Sequence, residues 1–436
     1  MKFGFYEFDI TPPIGSIIPG GFGARYSTEI LDKLYARAFV TDNGEKTLAL
    51  VVIDACGITA DIADAIRERV AKFTPIAPEC VMVMATHAHG AGPTLNWGEE
   101  VVTDAEYIKM LVNRAADAIY VAWHRMAESE LYSGRDDLYG ISFIRVYHMK
   151  DGSLKTNPGE MRDMIDRPTT TIDPEVGVLA VKQGEKFVGA IINFATHPAT
   201  IAGTETSGDY ISILSKKMKE YYGEDFVTVF INGACGNINH VDPYEEPRRD
   251  KYTIYRHVGE KIAETAKNII SAAERVDSNV LGYADTSVRV KFRKPNKEEL
   301  VEAQKIFLEY GDDLINRVPG TPEYKEVFFA LQRLQIMADK HTERNLYLQA
   351  FRIGNAYIAR TPTQIFVQFG KKMKAACPGL CFVSAFANDY CGYVPTPDCM
   401  KPGVYEARLA RTSALEPVAG DKLTEDMIEL LGKLSK

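Results

Sequence analysis

Residues 80–93 read CVMVMATHAHGAGP, and this stretch decides how the whole chain is interpreted. Its first half is a continuous apolar run, which is typical of a buried β-strand. Its second half places His87 and His89 two positions apart, directly before a glycine-rich turn. Because strand side chains alternate with period two, an extended H-x-H motif presents both imidazoles on one face. The stretch therefore predicts a strand that ends in a pair of histidines.

A second apolar strand ends in the same way, because it leads into Asn193-Phe-Ala-Thr-His-Pro198 and so places His197 after a strand end. Strand ends are where α/β enzymes position their active-site side chains. Imidazoles accompanied by one or two oxygen ligands favour zinc. The sequence thus predicts a metal site, against the alternative that these histidines are hydrogen-bonded core residues.

His240 follows Asn232-Gly-Ala-Cys-Gly-Asn-Ile-Asn239, a glycine-containing turn after a further apolar strand. Such a turn suits a backbone nest that binds an oxyanion or a polar group of a substrate. The same composition also makes an ordinary tight turn. The seven cysteines show no framework spacing and indicate free thiols in a reducing compartment.

The rest of the chain alternates strand-like and helix-like stretches, which predicts an α/β fold with a mixed β-sheet core flanked by helices. No Pro/Ser-rich linker divides it, so residues 1–436 are expected to form a single catalytic domain. The segment Lys150–Pro174 is expected to be an ordered surface loop. Helices are predicted at Ala60–Phe73, about Asp104–Ala127, Tyr210–Tyr222, about Thr253–Ala273, Lys297–Tyr310, Glu323–Thr342 and from Lys422.

Composition and charge exclude several classes of protein. Hydrophobic residues make up 46% and charged residues 25%, which is ordinary for a globular protein. The net charge of −8 argues against nucleic acid as a partner, since phosphate binding needs clustered Lys and Arg. Glu7 and Asp9 stand where a signal peptide needs an apolar segment, and no apolar run is long enough for a membrane span. The protein is expected to be cytoplasmic.

Several motifs occur in an order that resembles one known family. They are Phe8-Asp-Ile-Thr-Pro-Pro13 with Gly20-Gly-Phe22, Leu34-Tyr-Ala-Arg-Ala38, Thr86-His-Ala-His-Gly-Ala-Gly-Pro93, Phe194-Ala-Thr-His-Pro198 with Ser207-Gly-Asp209, and Ala387-Asn-Asp-Tyr-Cys-Gly-Tyr393 with Val404-Tyr-Glu406. Over nearly its whole length the chain resembles the neutral/alkaline (non-lysosomal) ceramidase family. The resemblance implies a ceramidase-like catalytic domain without the C-terminal β-sandwich of full ceramidases.

Family members are zinc amidases, and the resemblance implies roles for individual residues. His87 and His197 match the two histidine ligands, and Tyr405 matches the tyrosine ligand. His89 matches the histidine that contacts the reacting group. Gln364, in Pro362-Thr-Gln364, stands where the family has its glutamate ligand, which puts a neutral and poorer ligand at the fourth metal position.

The nucleophilic serine of the family is replaced in this chain. Asn239 stands at its position and cannot serve as that nucleophile. Asn239 and Tyr390, the latter within the 387–393 motif, are retained as candidate catalytic positions beside His89. Arg25, Arg37 and Arg145 are candidates for holding a carboxylate or polyol of the substrate, although each is equally compatible with a surface ion pair. His240 is a further candidate for substrate binding.

The resulting expectation is a zinc-dependent hydrolase that acts on a small polar substrate: an amide, a lactone, or a carbohydrate- or cyclitol-derived carbonyl compound. Zinc lowers the pKa of bound water to about 7, which permits hydrolysis without a side-chain nucleophile. His89 is then a general acid or base. The alternatives are a lipid amidase with water in place of serine, a catalytically silent binding protein on the same fold, and a metal-dependent isomerase or lyase. Self-association into a homo-oligomer is left open.

Overall fold

Three large β-sheets organise the molecule, and we name them by their place in the chain. The computed structural model describes residues 1–96, 101–245, 249–276, 279–310 and 320–435. In spatial order, the N-terminal sheet contains Val81–Ala85, Thr47–Ile53, Tyr35–Asp42, Lys2–Asp9 and Ala127–Glu128; the central sheet contains Val227–Asn232, Lys186–Phe194, Glu175–Gln183, Glu130–Asp137 and Glu274–Arg275; the C-terminal sheet contains Leu281–Lys291, Glu343–Ile353, Ala356–Thr361 and Leu380–Ala385.

Helices flank these sheets. Their bounds are α1 Ala60–Phe73, α2 Ala105–His124, α3 Tyr210–Tyr222, α4 Lys251–Ala272, α5 Lys297–Tyr310, α6 Pro322–Ala338, α7 Val367–Ala376 and α8 Ala419–Ser435. Smaller elements are a three-stranded sheet of Leu154–Thr156, Val146–Met149 and Ile165–Pro168, and the strand pairs Phe143–Ile144 with Ile238–Asn239, Glu29–Ile30 with Glu205–Thr206, Ile17–Ile18 with Arg25–Tyr26, and Gln364–Ile365 with Tyr393–Val394.

Each large sheet contains a parallel strand pair that is joined by a crossover helix, as parallel pairing requires. Helix α1 joins such a pair in the N-terminal sheet, α3 in the central sheet and α7 in the C-terminal sheet. In α1, Ile62, Ile66 and Val70 recur every four residues and are buried, so one apolar face packs on the sheet. Every histidine of interest follows one of these parallel strands.

Hydrogen bonds tie the carboxyl ends of the three parallel pairs together. Asn232 Nδ2 donates to Thr86 O at 3.0 Å, which joins the central sheet to the N-terminal sheet. Asn193 Nδ2 donates to Val383 O at 3.0 Å, and Asn388 N donates to Val83 O at 2.7 Å. The loops that follow the three sheets therefore meet in one place.

The predicted α/β class is confirmed, and helices α1, α3 and α5 have the predicted bounds. Two predictions are wrong. The segment Lys150–Pro174 is not a loop throughout, because it contains two short strands that both pair with Val146–Met149. Each is too short to show the alternation of apolar and polar residues that identifies a strand in a sequence. Helix α6 ends at Ala338 rather than Thr342, since the chain enters the strand Glu343–Ile353 soon afterwards.

Helix α7 carries no clear sequence signal because it contains Gly370, and glycine disfavours a helix interior. The structure explains this residue: a Cβ at position 370 would lie 2.6 Å from the Cβ of Ala234, so only glycine allows the helix to approach the central sheet this closely. None of the helices in the described part of the chain has the length and apolar character needed to cross a bilayer.

Candidate active site

The backbone at His87 leaves the strand in an unusual conformation. The strand Val81–Ala85 ends two residues earlier, and His87 has a φ of 69°, in the left-handed region that non-glycine residues rarely adopt. Its amide donates to Ala55 O at 2.9 Å, which holds it beside the neighbouring strand end. The prediction that His87 and His89 lie in an extended strand is therefore wrong. The turn at His87, and not the alternation of side chains along a strand, directs the two imidazoles.

The three histidines converge on one point. The Nε2 atoms of His87 and His197 are 3.2 Å apart, those of His87 and His89 are 3.3 Å apart, and those of His89 and His197 are 3.2 Å apart. Nitrogen ligands at about 2.0–2.1 Å from a tetrahedral zinc lie about 3.3–3.4 Å from one another. The triangle thus has the dimensions that three imidazole ligands of one zinc ion would have.

Backbone carbonyls fix the protonation of each imidazole. The Nδ1 atom of His87 lies 2.6 Å from Cys56 O, that of His89 lies 2.9 Å from Gly20 O, and that of His197 lies 3.4 Å from Cys235 O. Because a carbonyl oxygen only accepts, each Nδ1 must carry the proton. The three Nε2 lone pairs then face one another with no proton between them, an arrangement that is stabilised by a shared cation.

Burial also keeps these imidazoles neutral. Desolvation, helped by the charge of Arg25, lowers the pKa of His89 to about 3. Desolvation lowers the pKa of His87 and His197 well below the ordinary value, with the neighbouring histidines and Arg145 acting in the same direction. Neutral imidazole is the form that binds metal.

Cys56 is a further potential ligand that the sequence analysis missed. One ligand atom from each of Cys56, His87 and His89 lies within 4.8 Å of the others, so this group could hold a metal ion. Cys56 follows the strand Thr47–Ile53 closely, and the strand-end pattern that identified the histidines also applies to it. Burial raises the pKa of its thiol to about 12, so Cys56 is a neutral thiol beside the histidine triangle.

A cavity of about 270 Å³ opens over His87 and His89. Gln364 and Tyr390 lie in its wall, and Gln364 Nε2 donates to the Tyr390 hydroxyl. That bond leaves Gln364 Oε1 buried with no hydrogen-bond partner. The other lining residues are Gly20, Gly21, Phe22, Thr59, Leu95, Asn96, Val101, Phe328, Gln332, Tyr393, Tyr405, Arg411 and Thr412.

The two candidate tyrosines occupy different parts of this wall. The Tyr390 ring lies 6.3 Å from the His87 ring, and burial raises its pKa well above the ordinary value, so it is a neutral hydroxyl. The Tyr405 ring packs against Phe22 at 6.0 Å and Tyr393 at 5.8 Å. The structure therefore brings the Tyr390 ring against His87 and packs the Tyr405 ring among other aromatic side chains of the same cavity wall.

Arg25 serves the loop that carries His89 and does not face the cavity. Its terminal nitrogens donate to four backbone carbonyls, those of Pro19, His89, Ala202 and Gly203, at 2.7–2.8 Å. The neighbouring Gly20 has a φ of 97°, and a Cβ there would lie 2.8 Å from His89 Nδ1. Arg25 and Gly20 together determine where His89 sits.

Arg37 and Arg145 are both engaged by carboxylates. Arg37 is buried and donates to Asp54 Oδ2 at 2.8 Å within the N-terminal sheet. Arg145 is also buried and pairs with Glu406, with Nε 2.6 Å from Oε1. Neither arginine lines the cavity, although Arg145 lies close enough to depress the pKa of the histidines. The structure thus brings neither arginine to the wall of the cavity.

Asn239 and His240 also lie outside the cavity. Asn239 Nδ2 donates to Asn157 Oδ1 at 2.9 Å, and its Oδ1 accepts from Val241 N at 3.0 Å, so its side chain is occupied. His240 lines a separate cavity of about 60 Å³ together with Asp242 and His257. The geometry therefore does not support the catalytic role predicted for Asn239 or the substrate-binding role predicted for His240.

The far wall of the cavity is built from residues that carry no local sequence signal. Phe328 and Gln332 come from helix α6, and Arg411 comes from the loop before α8. Their positions depend on long-range packing, and a charged amphipathic helix gives no sign of which face meets an active site.

The fold and the converging histidines can now be compared with known proteins. Residues 2–239 match the model of the N-terminal part of the neutral/alkaline non-lysosomal ceramidases. This match spans more than half of the chain, and the chain belongs to that family. No curated protein matches the chain.

Two solved structures share the fold. One is a ceramidase complexed with C2, which superposes with a TM-score of 0.75 at 18% identity and covers 100% of this chain and 75% of that chain. The other is the neutral ceramidase from Pseudomonas aeruginosa, with a TM-score of 0.73 at 20% identity, covering 99% of this chain and 74% of that chain. The resemblance found in the sequence is confirmed, and the protein has a ceramidase-family hydrolase fold.

Proposed function

We propose that this protein is a zinc-dependent hydrolase that uses metal-activated water on a small polar amide or related carbonyl compound. One observation carries the proposal: three imidazole Nε2 atoms form a triangle with sides of 3.2–3.3 Å, and each Nδ1 is held by a backbone carbonyl. A set of three neutral nitrogen donors with an open fourth position is the pattern of a catalytic zinc site.

In this proposal, different residues bind the metal and contact the reacting group. His87, His89 and His197 would hold the metal, and their Nδ1 contacts keep the rings oriented. A bound zinc would polarise a carbonyl and lower the pKa of water. Gln364 offers its unpartnered Oε1 on the cavity side, and the neutral Tyr390 hydroxyl can donate to an oxygen that becomes negative during the reaction.

A ceramidase-like lipid amidase is equally supported by family membership, and the apolar side chains of Phe22, Leu95 and Phe328 in the cavity wall favour it. Replacement of the family serine by Asn239 favours the water mechanism in either case. Comparing hydrolysis of a long-chain N-acylsphingosine with that of short N-acyl amines separates the two functions. We place either activity in the cytoplasm, on a chain that works as one domain.

The proposal is tested by metal content. Purified protein should contain about one zinc ion per chain, measured by mass spectrometry, and His87→Ala and His197→Ala should abolish it together with hydrolysis. His341→Ala is the matched control, because this histidine is exposed and its side chain pairs with Asp339 rather than with the cavity residues. His89→Ala decides between two roles: loss of zinc makes it a ligand, whereas retained zinc with lost hydrolysis makes it a general acid or base. Zinc that is indifferent to His87 and His197 would refute the proposal.

A further inference from the structure

One cation lines the cavity without an acidic partner. Arg411 belongs to the cavity wall, and within the described ranges it makes no ion pair. Burial lowers its pKa, and no neighbouring carboxylate acts to raise it again. Asp and Glu are also missing from the described lining residues, since Gln364 replaces the glutamate that the family resemblance implies at that position. Among the lining residues that the structure describes, the charge is therefore positive, although the chain as a whole carries a net charge of −8.

The other arginines near the site show what a structural arginine looks like in this molecule. Arg145 is paired with Glu406, and Arg25 donates four hydrogen bonds to backbone carbonyl oxygens. Arg411 differs because it is exposed, lines the cavity and, among the residues that the structure describes, has no carboxylate partner.

Helix α6 holds Arg411 in a fixed orientation. The Oε1 atom of Gln332, a buried side chain, accepts from Arg411 N at 3.2 Å and from Arg411 Nε at 3.1 Å. The two terminal amino groups have no hydrogen-bond partner among the residues that the structure describes. A guanidinium whose Nε is occupied can still bind through its two terminal amino groups, whose spacing matches the two oxygens of a carboxylate.

A second positive charge lies nearby. The Nζ atom of Lys325 is 5.2 Å from the centre of the Phe22 ring, and Phe22 is itself part of the cavity wall. The apolar side chains of Phe22 and Phe328 offer contact surface for an uncharged part of a ligand. The wall of this cavity of about 270 Å³ thus combines aromatic side chains, Arg411 and two histidines of the triangle, His87 and His89.

We propose that Arg411 is a specificity-determining residue that binds a carboxylate of the substrate, so that the enzyme acts on carboxylate-bearing amides such as N-acyl amino acids. This inference rests on the proposed hydrolase function for the site. It sharpens that function, because a neutral lipid amide gains nothing from an unpaired guanidinium in the cavity, whereas a carboxylate gains a charge-assisted bidentate contact.

The test compares two probes that differ in one charge, N-benzoylglycine and its neutral amide N-benzoylglycinamide. Binding is measured by calorimetry on zinc-loaded and on chelator-treated protein. We expect the carboxylate to bind about tenfold more tightly in both forms, a ratio expected for one exposed charge-assisted contact. Arg411→Gln should bring the ratio close to one, and Arg411→Lys should restore only part of it. Arg408→Gln, a nearby arginine paired with Glu326, is the matched control and should keep the full ratio.

The outcomes separate this inference from the function on which it rests. If the carboxylate binds no better than the amide, or if its preference persists in Arg411→Gln and vanishes on metal removal, the inference is wrong and zinc hydrolysis can still stand. If the protein holds no zinc but the Arg411-dependent preference is present, the hydrolase proposal fails and carboxylate binding stands. Hydrolysis of both compounds, measured as KM and kcat, should show the Arg411→Gln effect in KM for the carboxylate alone.

Discussion

Gln364 is the residue at which this chain departs most from the ligand set that its family resemblance implies. Its Nε2 is used by Tyr390, and its Oε1 is buried without a partner in the wall of the cavity. A neutral amide oxygen is a weak ligand for zinc, whereas a carboxylate is a common one. The position that the resemblance gives to a carboxylate therefore carries a neutral amide, and a bound cation would lack the negative charge of that ligand.

Restoring the carboxylate should tighten metal binding. We expect Gln364→Glu to raise zinc affinity by about tenfold, because an anionic oxygen would replace the unpartnered Oε1 and the Tyr390 hydroxyl can donate to it. Affinity is measured by competition with a chromophoric chelator. Gln304→Glu, on the exposed face of α5, controls for the change in net charge. An unchanged affinity in Gln364→Glu would mean that this side chain does not face the metal.

At the scale of elements, Arg37 links neighbouring strands by ion pairs and does not contact the cavity. It lies in the strand Tyr35–Asp42 and reaches Asp54, which follows the adjacent strand, and also Glu7 on the other side, with Nε 3.3 Å from Oε2. Asp54 accepts a second bond from Tyr35 N at 2.9 Å. Both partners of the central pair are almost fully buried. Breaking one side of such a pair leaves an uncompensated charge in the core.

Arg37→Met should therefore destabilise the protein by about 3–5 kcal/mol, as removal of one partner from a buried ion pair does. The double variant Arg37→Met/Asp54→Asn should lose less than the sum of the two single variants, because it no longer buries a lone charge. Urea unfolding gives these free energies. A variant with unchanged stability and a raised KM would instead support the substrate-binding role predicted from sequence.

The sequence predicted the elements and the histidines better than it predicted the cavity. The H-x-H pair and His197 were recognisable because each follows a continuous apolar strand, a purely local signal. Gln364 and Tyr390, which follow strands of the C-terminal sheet, were identified as site residues only through the family motifs. Arg411 had no local signal, since its role depends on contact with Gln332, 79 residues earlier in the chain. Local pattern identifies strand ends, whereas the opposite wall of a site is determined by tertiary packing.

At the scale of the whole molecule, the candidate metal site is where the three sheets meet. His87 and His89 follow a strand of the N-terminal sheet, His197 follows one of the central sheet, and Gln364 follows one of the C-terminal sheet. A metal bound there would cross-link elements that are far apart in sequence. Because the unfolded chain does not assemble such a site, metal binding adds its free energy to the stability of the fold.

Zinc should accordingly stabilise the protein against heat. At a free zinc concentration of about 100 times Kd, binding contributes about 2.7 kcal/mol, which for a chain of this size corresponds to a rise in Tm of about 3 °C. Scanning calorimetry before and after chelation measures the shift. His87→Ala and His197→Ala should lose it, and His341→Ala should keep it. Magnesium should produce no shift, because three imidazoles suit zinc and not magnesium. An equal response to both metals, or a shift retained in the two ligand variants, would place the metal elsewhere.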